Sequence, residues 1–183
     1  MTASIFDIAL QRLDGTPATL ADYRGQVLLI VNVASACGLT PQYQGLEQLF
    51  EQQRGRGLQV LGFPCNDFGE QEPGTPEEIG AFCESRFGVK FPLFAKVQIN
   101  SSPRHPLYAA LIAAQPLAQA AASSKLRDTL SQHGLMPKHE TDVMWNFDKF
   151  LVGRDGRVIG RFAPDVAPDD PALTAAIEAA LAA

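Results

Sequence analysis

The chain has 183 residues, 46% hydrophobic and 19% charged, with a formal charge of −5. That length suits one domain around a single core, and the balance places it among soluble globular proteins rather than disordered ones. The net negative charge and scattered basic residues argue against a nucleic-acid partner, and the longest apolar runs are strand-sized, so no membrane partner is expected either.

The opening "MTASIFDIAL" has no basic start and an early Asp7, unlike a secretory signal. With no such signal, the three cysteines, Cys37, Cys65 and Cys83, point to a reducing, cytoplasmic setting rather than a disulfide framework. "GQVLLIVNVAS" is almost continuously apolar and β-branched, the pattern of a strand buried on both faces. Thr40 then offers a helix cap and Pro41 a first helical position, with Tyr43, Leu46, Leu49 and Phe50 on one face and a stop near Gly55 and Gly57. "LQVLGF" follows as a second buried strand, completing a right-handed βαβ unit.

"TPEEIGAFCESRF" opens with Thr75, Pro76 and Glu78, a capping box ahead of another helix, and "RHPLYAALIAA" is helical too. "WNFDKFLV" and "RVIGRF", joined by "GRDG", form a hairpin, and Asp170-Pro171 starts an Ala-rich terminal helix. This order describes an α/β fold, a mixed central sheet flanked by helices. It is the thioredoxin-fold pattern, with an N-terminal addition around "FDIALQRLDGTPATL". Residues 1–183 are expected to form one domain. The segment 114–143, with one weak helix at Leu126 and Leu130, reads as an inserted excursion, either an oligomer contact or a mobile loop.

Cys37 leaves the first buried strand three residues before the expected helix cap, near backbone N–H groups and the positive helix end, a setting that favours thiolate. "CGLT" carries a hydroxyl where a dithiol oxidoreductase has its second cysteine, so local disulfide exchange is not its work. A lone thiolate suits attack on a peroxide; a packed structural cysteine is the other reading of the residues alone.

"NVASACGLT", "LGFPCNDFGEQEPG" and "WNFDKFLV" resemble, in order and spacing, the motifs of the glutathione peroxidase family. The similarity is to its cysteine-containing non-animal branch, close to bacterial members found with vitamin B12 transport genes. The resemblance runs from about Phe6 to the last helix. It implies a peroxidatic Cys37 with Gln71, Trp145 and Asn146 completing a catalytic tetrad. The amide and indole N–H groups would stabilise thiolate and departing oxygen without titrating near neutral pH. Adjacent residues of a regular strand face opposite sides, so Trp145 and Asn146 are expected at its irregular entrance.

The family commonly has "CNQFG" where this chain has "CNDFG"; Asp67 is expected to face solvent or bond to local backbone. Cys83 holds the place of the resolving cysteine in members that use thioredoxin. The spacing of Ile79, Phe82, Cys83 and Phe87 turns its side chain inward when reduced. Cys65 reads as packing, and His105, His133 and His139 as solvated side chains. No cofactor and no metal are expected. The implied activity is reduction of hydrogen peroxide and organic hydroperoxides through a sulfenic acid, with regeneration by a Cys37–Cys83 disulfide and thioredoxin. Direct regeneration by glutathione, or a sensor relaying oxidation to a partner protein, are the alternatives; the oligomeric state is left open.

Overall fold

Two short strands, β1 (Leu10–Gln11) and β2 (Pro17–Ala18), pair antiparallel ahead of the main sheet in the computed structural model, which describes residues 4–183. The first three residues of the segment read for a signal lie outside the described residues. The apolar run Val27–Val33 is β3, buried at every position because the sheet is covered on both faces. It leads through α1 (Gln42–Gln53) to β4 (Leu58–Pro64), parallel to β3 in the register Val27↔Leu58 to Val33↔Pro64. The expected apolar face of α1 is buried: Tyr43, Leu46, Leu49 and Phe50 all pack inward.

Helix α2 (Pro76–Phe87) begins with the expected box: the Thr75 hydroxyl accepts from Glu78 N–H at 3.2 Å while the Glu78 carboxylate accepts from Thr75 N–H at 2.8 Å. Helices α3 (Pro106–Ala114) and α4 (Leu126–Gln132) follow, then the hairpin β5 (Lys149–Val152) and β6 (Val158–Phe162), and α5 (Pro171–Ala182), capped by Asp170. The sheet order is β4-β3-β5-β6, with β5 antiparallel to both of its neighbours. This is the thioredoxin-like arrangement.

Both sheet edges are covered. On the β4 side, Gly62 exchanges backbone bonds with Pro92 and Phe94, each at 2.9 Å. On the β6 side, the excursion supplies Gln119, whose N–H donates to Arg161 O and whose carbonyl accepts from Ala163 N–H, both at 2.8 Å. The buried Arg161 guanidinium also donates to the carbonyls of Gln115, Pro116, Thr141 and Asp142. The excursion is therefore stitched to the sheet at both of its ends.

Candidate active site

Cys37 lies in the short loop between β3 and α1, and the Thr40 hydroxyl closes that loop. It accepts from Cys37 N–H at 3.0 Å and donates to the Ala34 carbonyl at 2.8 Å. This corrects the expected helix cap. Helix α1 begins at Gln42 behind an uncapped Pro41, because the Thr40 oxygen is already committed to the cysteine loop. The chain enters the helix through tight turns: Thr40 N–H to Cys37 O at 3.1 Å, and Tyr43 N–H to Thr40 O at 3.0 Å. Inside this wrap, Leu39 N–H donates to Cys37 Sγ at 3.3 Å. A backbone donor fixed on sulfur is suited to negative charge there.

The loop after β4 sits directly beside it, since Ala36 N–H donates to the Gln71 carbonyl at 3.1 Å. Two consecutive left-handed residues, Gly69 (φ 68°) and Glu70 (φ 52°), turn this loop. Gly69 is required as well by close approach: a Cβ there would lie 2.9 Å from Cη2 of Trp145. The indole also meets Phe68 edge-on, with centroids 6.0 Å apart. Asn146 completes the junction, its Nδ2 donating to Gln71 Oε1 at 2.9 Å and more weakly to Phe68 O at 3.4 Å. Gln71 accepts through Oε1, so its NH₂ remains the end turned away from Asn146.

Trp145 and Asn146 precede the regular part of β5, as expected. Pairing with β3 stops at Val31↔Lys149, and Phe147 adopts a left-handed φ of 71°. Beyond that point Asn32 of β3 takes over. Its Nδ2 donates to Trp145 O at 3.1 Å, and its carbonyl accepts from Phe147 N–H at 2.6 Å. Asn32 is an unforeseen member of the site; its signal was a single amide inside an otherwise apolar strand.

A protein-family comparison matches residues 5–112 to glutathione peroxidase, and the chain is 50% identical over 182 residues to the thioredoxin/glutathione peroxidase BtuE of Escherichia coli, covering 100% of both chains. The chain belongs to the glutathione peroxidase family. It is a peroxidase of the bacterial branch near that relative. It is also 47% identical to the hydroperoxy fatty acid reductase gpx1 of Synechocystis, over 91% of this chain and 90% of the other. Among solved structures, T. cruzi GPX1 superposes with a TM-score of 0.69 at 31% identity, covering 98% of this chain and 97% of that one. The structure described as Trgpx in apo form gives 0.72 at 33%, covering 100% and 98%.

Within this glutathione peroxidase the three cysteines differ sharply. All three are buried, but Cys37 is 8% exposed, against 0% for Cys65 and 1% for Cys83, so it is the most accessible of the three. Burial pushes the Cys65 thiol up to about 12, which keeps it inert and fits the packing role. Burial likewise raises Cys83 to about 11; the neighbouring Tyr43 hydroxyl opposes this and the Glu72 carboxylate adds to it. Glu72 is itself 1% exposed and raised by burial, with Ser35 and Lys96 pulling the other way. Cys83 points inward, as its spacing required.

Asp67 neither faces solvent nor bonds to its own turn. Its carboxylate accepts from Ile99, Asn100 and Ser101 N–H at 2.7, 2.9 and 3.1 Å and from the Ser101 hydroxyl at 2.8 Å. Partial burial pushes its pKa up, but these donors outweigh it, and the carboxyl titrates below its ordinary value. Asn100, so fixed, exchanges side-chain bonds with the Val143 carbonyl (2.7 Å) and N–H (3.2 Å), two residues before Trp145. The carboxylate therefore frames the tryptophan segment. A folded-state pKa below the unfolded one gives stability that is present above the unfolded value and lost as pH falls through the folded one. Asp67→Asn is expected to cost about 1–2 kcal/mol at pH 7. The difference from wild type should vanish in acid, as urea unfolding at pH 7 and pH 3 will test.

His105 is also corrected. It is partly buried, and its Nδ1 accepts from Leu107 N–H at 3.1 Å as the cap of α3. His133 and His139 are exposed, as expected.

Proposed function

We propose that Cys37 is the peroxidatic cysteine of this peroxidase and that Gln71, Trp145 and Asn146 serve the same reaction. The thiolate attacks one peroxide oxygen and the O–O bond breaks. Cys37 becomes a sulfenic acid, and the other oxygen leaves as hydroxide or alkoxide, then takes a proton to give water or an alcohol. The Gln71 amide and the indole N–H are the donors for that departing charge, with Asn146 orienting Gln71. The observation that carries this reading is the sulfur held by Leu39 N–H in a loop bonded to Gln71, which is in turn bonded to Asn146. Substrates are hydrogen peroxide and organic hydroperoxides; the Synechocystis relative's name supports the second class.

Cys83 is the proposed resolving residue. Its sulfur attacks the Cys37 sulfenic acid, forming the disulfide and releasing water, and the dithiol of thioredoxin then reduces that bond. Packed and raised to about 11, Cys83 is a poor nucleophile until it leaves its site. Helix α2 is suited to let it go: only Ile79 and Cys83 of its twelve residues are buried, so local unwinding exposes little core. The three free cysteines suit a reducing compartment, and we place the work in the cytoplasm. The E. coli relative is named for both thioredoxin and glutathione, and Cys83 favours the first.

Cys83→Ser separates the reductants. Steady-state peroxide consumption by this variant with thioredoxin is expected to fall by roughly 100-fold or more, the scale on which loss of one participating group acts. The first turnover should keep its wild-type rate. Undiminished cycling with thioredoxin would remove the two-cysteine route. Undiminished cycling with glutathione alone would favour direct reduction of the sulfenic acid.

A further inference from the structure

The first residue of β5 is a lysine with no exposed surface. Burying an ammonium is costly unless its hydrogens are well placed, and the rest of this strand, "FLV", is apolar. Its two bonds connect the two halves of the site. Lys149 Nζ donates to the Phe147 carbonyl at 2.6 Å and to the Pro164 carbonyl at 3.2 Å. Pro164 O also accepts from Nε2 of Gln42 at 2.8 Å, and Gln42 is the first residue of the helix that follows Cys37.

Phe147 is where the chain needs holding. A left-handed φ at a residue with a bulky side chain is strained and persists only where surroundings enforce it. This bend directs Asn146 to Gln71, and it is gripped on both sides: its N–H by Asn32 O, its carbonyl by Lys149. The charges near the ammonium are Asp148, the residue just before its strand and already paired with Arg161 of β6, and Asp165 beside Pro164. Burial lowers the lysine to about 7 and the two carboxylates oppose it, while the hydrogen bonds of its nitrogen go to the two carbonyls.

We propose that Lys149 is a positioning residue for peroxide reduction: its amino group clamps the Phe147 and Pro164 carbonyls, fixing the bend that sets Asn146 and Trp145 against the Gln71 loop beside Cys37. This rests on Cys37 as the reacting sulfur. Lys149→Met keeps the length and apolar stem but removes the donors. Replacing a buried charge with an apolar side chain is often neutral for stability, so folding and positioning can be separated.

The test is single-turnover oxidation by hydrogen peroxide of wild type, K149M and C37S, with thermal unfolding and tryptophan emission recorded alongside. Trp145 is the only tryptophan, so emission reports on the site itself. Under conditions where K149M is fully folded, its rate constant is expected to fall about tenfold or more, as misplaced groups do, with a changed emission maximum. Wild-type rate and emission in K149M, with C37S inactive, would overturn the clamp and leave the role of Cys37 standing. Wild-type oxidation in C37S would instead overturn the reading of Cys37. If K149M does not fold, K149Q is measured in the same way. Failure of both to fold would overturn the proposal, since the lysine would then serve the fold and not the site.

Discussion

Cys37→Ser is expected to reduce peroxide consumption to the uncatalysed background, with either thioredoxin or glutathione as reductant. The loss should be on the order of 10⁴-fold or more, the scale on which removal of a nucleophile acts in other covalent mechanisms. The substitution exchanges sulfur for oxygen in a loop whose own bonds, Thr40 to Cys37 N–H and to Ala34 O, do not involve the side chain, so folding should be unchanged. What disappears is a polarisable atom able to carry negative charge at the end of the Leu39 N–H. A serine hydroxyl is not ionised near neutral pH and cannot form a sulfenic acid, so no later step is available to it. Cys65→Ser is the internal control. That sulfur has no exposed surface and its thiol is pushed up to about 12, so its loss should leave turnover intact. Consumption of peroxide followed by coupled reductant oxidation, with unfolding curves for all three proteins, checks both statements. Residual fast turnover in C37S would move the chemistry to another atom.

Elements whose identity rests on local pattern were legible in the chain. The all-apolar run of β3, the Thr75–Glu78 box and the Asp170-Pro171 helix start depend on neighbours within a few residues, and each forms where its pattern placed it. The misreadings came from groups with two possible partners. Thr40 could cap α1 or close the cysteine loop; proximity to Ala34 O decided it, and that proximity exists only after β3 and α1 are docked. Asp67 could serve its own turn, but the donors it found are more than thirty residues downstream.

Asn32 and Lys149 were missed for a related reason. Asn32 is a lone polar residue inside an apolar strand and Lys149 a buried charge at the head of another, and such a residue must find its bonds somewhere. The chain announces that need without revealing the partner. Here both partners lie at the Trp145–Phe147 bend, where two buried polar side chains hold a backbone that the sheet ladder no longer reaches.

Arg161→Ala is expected to be the most destabilising single change away from the cysteine loop, at about 3–5 kcal/mol. For a chain of this size that corresponds to a fall in unfolding midpoint of roughly 6–20 °C. The guanidinium side chain is 2% exposed and its partner carboxylate, Asp148, has none, so removal leaves a buried carboxylate without its cation. Four carbonyls of the excursion, at Gln115, Pro116, Thr141 and Asp142, lose their donor in the same step. The sign of the pH dependence follows from Asp148. Burial raises its pKa and Arg161 opposes that rise, so without the arginine it climbs further. A carboxyl raised in the folded state contributes stability at low pH that is lost as pH rises through the folded value. The gap between variant and wild type should therefore be wide at pH 7 and narrower at pH 5. Arg161→Ala combined with Asp148→Asn should be less destabilised than the sum of the two single changes, because the unpaired charge is gone. If the pair instead contributes additively, and the gap is flat with pH, the excursion is held by its carbonyl bonds and the Gln119 ladder alone. Guanidinium unfolding of the four proteins at the two pH values decides between them.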